Sequence, residues 1–189
     1  MLASGHLWIM KKILILACLI IAFKGLYAQT FTLSSADLGG QFTNEFVAGN
    51  FGCNGNNQSP ELHWTNAPAG TKSFAVTMYD PDALTGSGFW HWVIVNIPAA
   101  TRQLKRGAGS TQAQLAPAGS LQSSNDTGAA GYQGPCPPEG DAPHRYIITV
   151  YALNIDQLVT STNSTAALTG FLLNKASIAK ASIIVYAKH

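Results

Sequence analysis

Two stretches, "WHWVIVNI" from Trp90 to Ile97 and "YIITVYAL" from Tyr146 to Leu153, are apolar at odd and even positions alike. A strand that shows one face to water alternates apolar with polar residues. One that does not alternate has to be covered on both faces, in the middle of a sheet or sandwich. Any fold for this chain must therefore put protein on both sides of these segments. Further β-branched and aromatic runs occur at "FTLSS" near Phe31, "KSFAVTMYD" from Lys72, "HRYIITVYAL" from His144 and "ASIIVYAKH" from Ala181. Each is bounded by Gly, Pro, Asn or Asp, the signature of strands between turns. Helical periodicity is sparse. The best candidate, "STAALTGFLLNKA" from Ser164 to Ala176, offers Ser164 as an N-cap and Leu168, Phe171 and Leu172 as one apolar face. A shorter turn is expected at "NIDQLV". Thr101 to Gly131, rich in Gly, Ala, Ser and Gln, reads as a long irregular excursion, and excursions of that length are often functional. The chain reads as mainly β with a few peripheral short helices.

The first 28 residues read as an export signal rather than as part of that fold. "MKKILILACLIIAFKGLYAQT" starts at Met10 with Lys11 and Lys12 as a positive region. Ile13 to Phe23 form an apolar run too short to span a bilayer comfortably, and "LYA" ends at Ala28 on a small residue. Cleavage is expected near Ala28–Gln29, with an uncleaved anchor as the alternative. Residues 1–9 read as an upstream start artefact. Cys18 sits within the apolar run and reads as filler there. Residues 29–189 are then one domain of ordinary size. With 47% apolar residues it can bury a core. The basic excess disappears with the leader: 11 basic against 9 acidic residues become 8 against 9 once Lys11, Lys12 and Lys24 are removed. That balance gives no footprint for nucleic acid. Export also changes how Cys53 and Cys136 read. They are the two cysteines left after cleavage, and in an oxidising compartment they have one pairing available, a disulfide. Two separate thiols are the alternative, and as metal ligands the two alone are too few.

Two places could carry chemistry. In "MYDPDALTGSGFWHWVIVN", Pro81 lacks an N–H and stops the ladder, which sets Asp80 at a strand end and His91 at the start of the next strand. If these strands pair as a hairpin, Asp80 comes near His91, where a carboxylate would orient the ring and favour its charged form. In "GPCPPEGDAPHRYIITVYAL", Pro135, Pro137 and Pro138 stiffen a loop in which Gly134 and Gly140 permit the turns. Backbone N–H groups there, including that of Cys136, can bind an anion, and His144 opens the following strand. A rigid loop, two histidines and an aspartate would make a small anion pocket. The bland alternative for each histidine is a hydrogen-bonded structural residue. His63 has no special context, and His189 reads as solvated. Asp82 and Arg145 read as a structural ion pair between the two loops.

"YDPDA…HWVIVNIP" and "GPCPPEGDAPHRY", in this order and preceded by "KSFAV", resemble the two signature regions of the phosphatidylethanolamine-binding protein (PEBP) family, also called Raf kinase inhibitor proteins. The resemblance runs from about Phe31 to the C-terminus. "FGCNGNNQSPELHW" and "GSGFWHWVIVNIPA" look like its bacterial YbhB/YbcL-type branch, and the leader with Cys53 and Cys136 looks like the branch's periplasmic members. The resemblance implies a β-sandwich-like fold with a small anion pocket at one end. Asp80, His91 and His144 fall on the family's pocket positions, and Phe89, Gly134, Pro138 and Tyr146 on lining positions. It also implies a phosphate-like ligand, phospholipid headgroups and phosphopeptides included, and in some members a protein partner. There are departures. Leu84 stands where the first motif usually has proline, Cys136 replaces a glycine of eukaryotic members, and "ASIIVYAKH" ends the chain as a strand where a pocket-covering helix could have followed. The expected function is therefore an exported, non-enzymatic anion-binding protein without a cofactor or metal. The alternatives are an inhibitor that blocks a protease or other enzyme through an exposed loop such as 101–131, and a hydrolase using Asp80, His91 and His144. No G-x-S-x-G or H-E-x-x-H motif supports the last.

Overall fold

The computed structural model describes residues 29–189, together with Lys12. The leader and its cleavage site lie outside the described residues. Within residues 29–189, eight strands and one helix follow in chain order: β1 (Thr32–Ser34), β2 (Leu62–Thr65), β3 (Ser73–Asp80), β4 (Phe89–Pro98), β5 (Gln103–Leu104), β6 (Leu121–Gln122), β7 (His144–Leu153), α1 (Ala166–Ala176) and β8 (Ser177–Ala187). They form two antiparallel sheets, a small one ordered β1-β2-β5 and a five-stranded one ordered β6-β4-β3-β7-β8.

The two runs without alternation are β4 and β7, and each is covered on both faces. One core contains Leu33, Leu62 and Trp64 from the small sheet with Phe74, Val76, Met78, Trp92, Ile94, Ile148 and Val150 from the large one. The residues of opposite parity, among them Ala75, Val93, Val95 and Tyr151, join Leu158, Ala166 and Leu173 in a second core under α1. Strict alternation along β4 would send Ile97 to the α1 side. It lies instead in the inter-sheet core, because a bulge breaks the register between the Val76–Ile94 and Phe74–Ile97 pairs. Asn96 takes a φ of 57° inside the bulge, a left-handed conformation that asparagine tolerates better than most residues. Its Oδ1 accepts the Leu158 N–H at 2.7 Å, tying the bulge to the segment before α1.

The fold differs from the expectations in three places. Helix α1 begins at Ala166 and is capped by Thr165, whose hydroxyl accepts the Leu168 N–H at 3.2 Å, and not by Ser164. Its buried face is Ala166, Thr169, Gly170, Leu173 and Ala176, while Leu168 and Phe171 are exposed. Leu173 is the one large residue on that face, and at Gly170 the helix lies close against Trp90: a Cβ there would stand 3.2 Å from the indole. Strand β8 starts at Ser177, four residues before the apolar run at Ala181. The excursion after Thr101 is anchored rather than loose. It contributes β5 and β6, and Gln122 bridges it to the core by accepting from Trp92 Nε1 at 2.7 Å and donating to the Ala108 carbonyl at 2.8 Å.

Candidate functional site

Sheet topology brings the candidate residues together. β3 and β4 form a hairpin in which Asp80 faces Phe89, and β7 lies on the other side of β3 with Ile147 opposite Tyr79. The end of β3 and the beginnings of β4 and β7 thus meet at one end of the large sheet. All eight residues assigned to the pocket, Asp80, Phe89, His91, Gly134, Cys136, Pro138, His144 and Tyr146, line one cavity of about 260 Å³ there. Sequence reasoning missed Phe51, Ala83, Leu84, Thr85, Gln133 and Pro137, which complete its wall. For Leu84 and Phe51 the available signal was an apolar side chain in a turn. Both are strongly exposed at the cavity rim, 81% and 70%.

The floor is buried and polar. Asp80 is 2% exposed, His144 5% and His91 6%. The carboxylate of Asp80 is paired with His144, at 2.8 Å from Oδ2 to Nδ1, and not with His91 as the hairpin alone suggested. Its other oxygen accepts the Asp82 N–H at 2.8 Å. Asp80 is therefore held on both oxygens and in turn holds the His144 ring, whose Nε2 lies 3.4 Å from Asp141. Tyr146 stands against the same carboxylate. Its hydroxyl is kept protonated far above its ordinary range by burial and by the Asp80 charge.

His91 is in a different state. Its Nδ1 lies 2.9 Å from the Gln133 carbonyl, which can only accept, so Nδ1 carries the proton. The ring is packed between Phe89, at 4.8 Å between centroids, and the edge of Tyr146, at 5.1 Å. Burial pulls its pKa down from 6.5 to about 4, outweighing the contrary pulls of the Gln133 hydrogen bond, Asp80 and the Gly134 backbone. The expectation of a charged imidazole at this position is thus reversed. Near neutral pH His91 is a neutral ring whose Nε2 is an acceptor.

The stiff loop frames one side of the cavity. Gly134 donates its N–H to Asn57 Oδ1 at 2.7 Å, so that amide is already used within the protein. The residue is glycine because of close approach: a Cβ there would stand 2.4 Å from the Phe46 carbonyl oxygen. Cys53 and Cys136 form a disulfide with Cα atoms 5.9 Å apart, tying the 51–53 loop to the cavity wall. Outside the cavity, Asp82 takes both the guanidinium and the backbone N–H of Arg145, at 2.6–2.9 Å. This fixes the start of β7 against the 80–82 turn and holds Asp82 down at a pKa of about 2. His63 is 3.0 Å from Glu61 on the small sheet, away from the cavity. Ser87, the hydroxyl nearest His91 in sequence, is exposed on the hairpin loop.

Comparison with known proteins agrees with this architecture. The family model for phosphatidylethanolamine-binding protein matches residues 32–188. The UPF0098 protein YbcL of Escherichia coli is 45% identical over 176 residues, covering 92% of this chain and 96% of that protein. YbhB, a second UPF0098 protein of E. coli, is 48% identical over 153 residues, covering 80% of this chain and 96% of its own. The crystal structure of E. coli YbcL, described as a new member of the mammalian PEBP family, superposes with a TM-score of 0.83 at 46% identity. It covers 85% of this chain and 99% of that one.

Proposed function

The chain belongs to the phosphatidylethanolamine-binding protein family, and from that premise we propose that it is an exported, Raf kinase inhibitor-like binding protein that takes a small phosphate-like anion in the cavity between β3, β4 and β7. Residues 29–189 form its single domain, and residues 1–28 its cleaved leader. The observation that carries this reading is the cavity itself. It has a floor of two buried imidazoles and one fully engaged carboxylate, beneath a rim of Phe51, Leu84, Pro137 and Pro138. A concave site that is mostly apolar with a few convergent polar groups suits a ligand with one small polar head. Both Asp80 oxygens are already committed to Asp82 and His144, so that carboxylate orients the floor rather than acting as a free base. The disulfide is of the kind that persists in an oxidising compartment, which fits export. Among the described residues no helix is long and apolar enough to cross a membrane.

The state of His91 makes the reading specific. A neutral ring whose Nδ1 is spent on Gln133 offers an acceptor to the ligand, and a carboxylate already lies beside it. A fully deprotonated anion would be repelled there, so the bound anion must carry or recruit a proton. Phosphomonoesters can do so, because their second pKa lies near 6, and inorganic phosphate carries at least one proton throughout the neutral range. Sulfate has no such proton near neutrality.

The test is calorimetric titration of the mature protein with inorganic phosphate, phosphoethanolamine and sulfate between pH 8 and pH 5, in buffers of different ionisation enthalpy. Phosphate should bind with proton uptake and more tightly as pH falls, sulfate weakly or not at all. His91→Ala and His144→Ala should each weaken phosphate by about tenfold or more, the scale of one hydrogen bond to a charged group. Binding that is equal for sulfate, or unchanged in both variants, overturns the assignment. A phosphopeptide titrated in parallel tests for a protein partner.

A further inference from the structure

At the cavity wall lies a cluster whose sulfur and imidazole atoms the anion reading leaves unused. Cys53, Cys136 and the imidazole of His189 each offer one ligating atom, and the three atoms lie within 4.8 Å of one another. Strand β8 delivers the histidine. Its end is pinned by hydrogen bonds from Tyr186 N–H to the Gly40 carbonyl and from Phe42 N–H to the Tyr186 carbonyl, both 2.9 Å, and Ala187 pairs with His144. The residues that follow therefore run beside the loop of Phe51, Gly52 and Cys53. A Cβ on Gly52 would stand 3.8 Å from the His189 ring. His189 is thus a third donor beside a pair of cysteines that alone are too few for a metal.

We infer that Cys53, Cys136 and His189 form a site for a thiophilic d10 cation, Zn2+ or Cu+, that exists only in the reduced protein. The inference is independent of the anion reading. Two thiolates and an imidazole are a donor set that selects such ions. The two Cα atoms, 5.9 Å apart, are close enough for both sulfurs to reach one ion. Sulfurs about 2.3 Å from a shared ion lie no more than about 4.6 Å apart, so opening the S–S bond needs only a local side-chain movement. Zinc would keep a fourth position open to water.

The switching step requires a two-electron reductant, a role that a dithiol fills. Its thiolate attacks the sulfur of Cys136, the less buried of the two cysteines, the S–S bond breaks, and Cys53 leaves as a thiolate that takes a proton. The reductant's second thiol then displaces Cys136, and the reductant departs as a disulfide. Two electrons and two protons have passed to Cys53 and Cys136. An incoming cation displaces both thiol protons to solvent.

The test uses the mature chain, reduced with a phosphine that is then removed, and titrated with Zn2+ by calorimetry beside the oxidised protein. Near-UV circular dichroism is recorded throughout. One Zn2+ should bind per reduced chain and none at this site in the oxidised chain. His189→Ala, an exposed position where truncation leaves the core intact, should weaken binding by at least about tenfold, the lower end of what loss of even a supporting partner costs. Co2+ in place of Zn2+ should give thiolate charge-transfer absorption that disappears when the cysteines are alkylated. The inference is overturned by no uptake in the reduced protein, by equal uptake in the oxidised protein, by undiminished uptake in His189→Ala, or by loss of the native near-UV spectrum on reduction.

Discussion

Acidification should destabilise this protein through His91 before Asp82 titrates. In the folded chain burial holds the imidazole at a pKa of about 4, against 6.5 when exposed. Between these values the unfolded chain binds a proton that the folded one does not, so lowering the pH favours unfolding. The contribution is complete above about pH 6.5 and is lost as the pH falls toward 4. At about 1.4 kcal/mol per pH unit the gap between 6.5 and about 4 amounts to about 3 kcal/mol. Asp82, held at about 2 against 3.8, loses its own contribution only below this window. Urea denaturation followed by tryptophan fluorescence at pH 7, 6, 5 and 4 measures the effect, with His91→Phe as the comparison. The variant keeps an aromatic ring between Phe89 and Tyr146 but cannot titrate, so it will start from a lower stability and lose about 3 kcal/mol less across the window. Parallel pH profiles for the two proteins between 6.5 and 4 would refute a buried neutral His91, whatever their absolute stabilities.

Three further outcomes follow from the same site. Replacing both Cys53 and Cys136 by serine should cost about 2–4 kcal/mol in non-reducing chemical denaturation, and coincident unfolding curves would show that the bond between the two loops adds nothing. Gly134→Ala should cost about 1–3 kcal/mol through overpacking, because its Cβ would stand 2.4 Å from the Phe46 carbonyl oxygen; an unchanged midpoint would mean that the two loops separate easily. Phe51→Ala with Leu84→Ala should leave inorganic phosphate binding alone and weaken a phosphate ester with an apolar tail by about tenfold, the loss of roughly 1.4 kcal/mol of apolar contact. Equal losses for both ligands would mean that the rim shapes the floor rather than contacting the tail.

The parts of this fold that were legible are those where local sequence decides. The missing alternation in β4 and β7 demanded cover on both faces, and the two cores supply it. The proline-bounded end of β3 placed Asp80 at a strand terminus. What local reasoning could not see was the neighbour across the sheet. The hairpin register sets Asp80 opposite Phe89, with His91 two residues further in. The partner of the carboxylate comes from β7, more than sixty residues away in sequence. The face of α1 misled for a related reason. Leu168 and Phe171 carry the apolar signal, yet four of the five buried positions are Ala, Thr or Gly, with Trp90 close against Gly170, so the buried face reads as weakly apolar. His189 carried no local pattern at all, and only the pairing of β8 brings it beside the disulfide.

The two histidines of the cavity show how one set of strands can give the same side chain opposite duties. Both open a strand beside Asp80, and both are buried to nearly the same degree. Only His144 receives the carboxylate. His91 is surrounded by the Gln133 and Gly134 backbone and two aromatic rings, and its burial there favours the uncharged form. Had Asp80 faced His91 instead, the proline-rich loop would have enclosed an ion pair of no net charge over a free His144 at the rim of the sheet. With the pairing found, the carboxylate is screened by His144, Tyr146 and the Asp82 amide, and His91 is the floor imidazole to which no carboxylate is bonded. A ligand that brings both negative charge and a proton meets both halves of that arrangement, which is why proton uptake on binding separates this site from a simple basic patch.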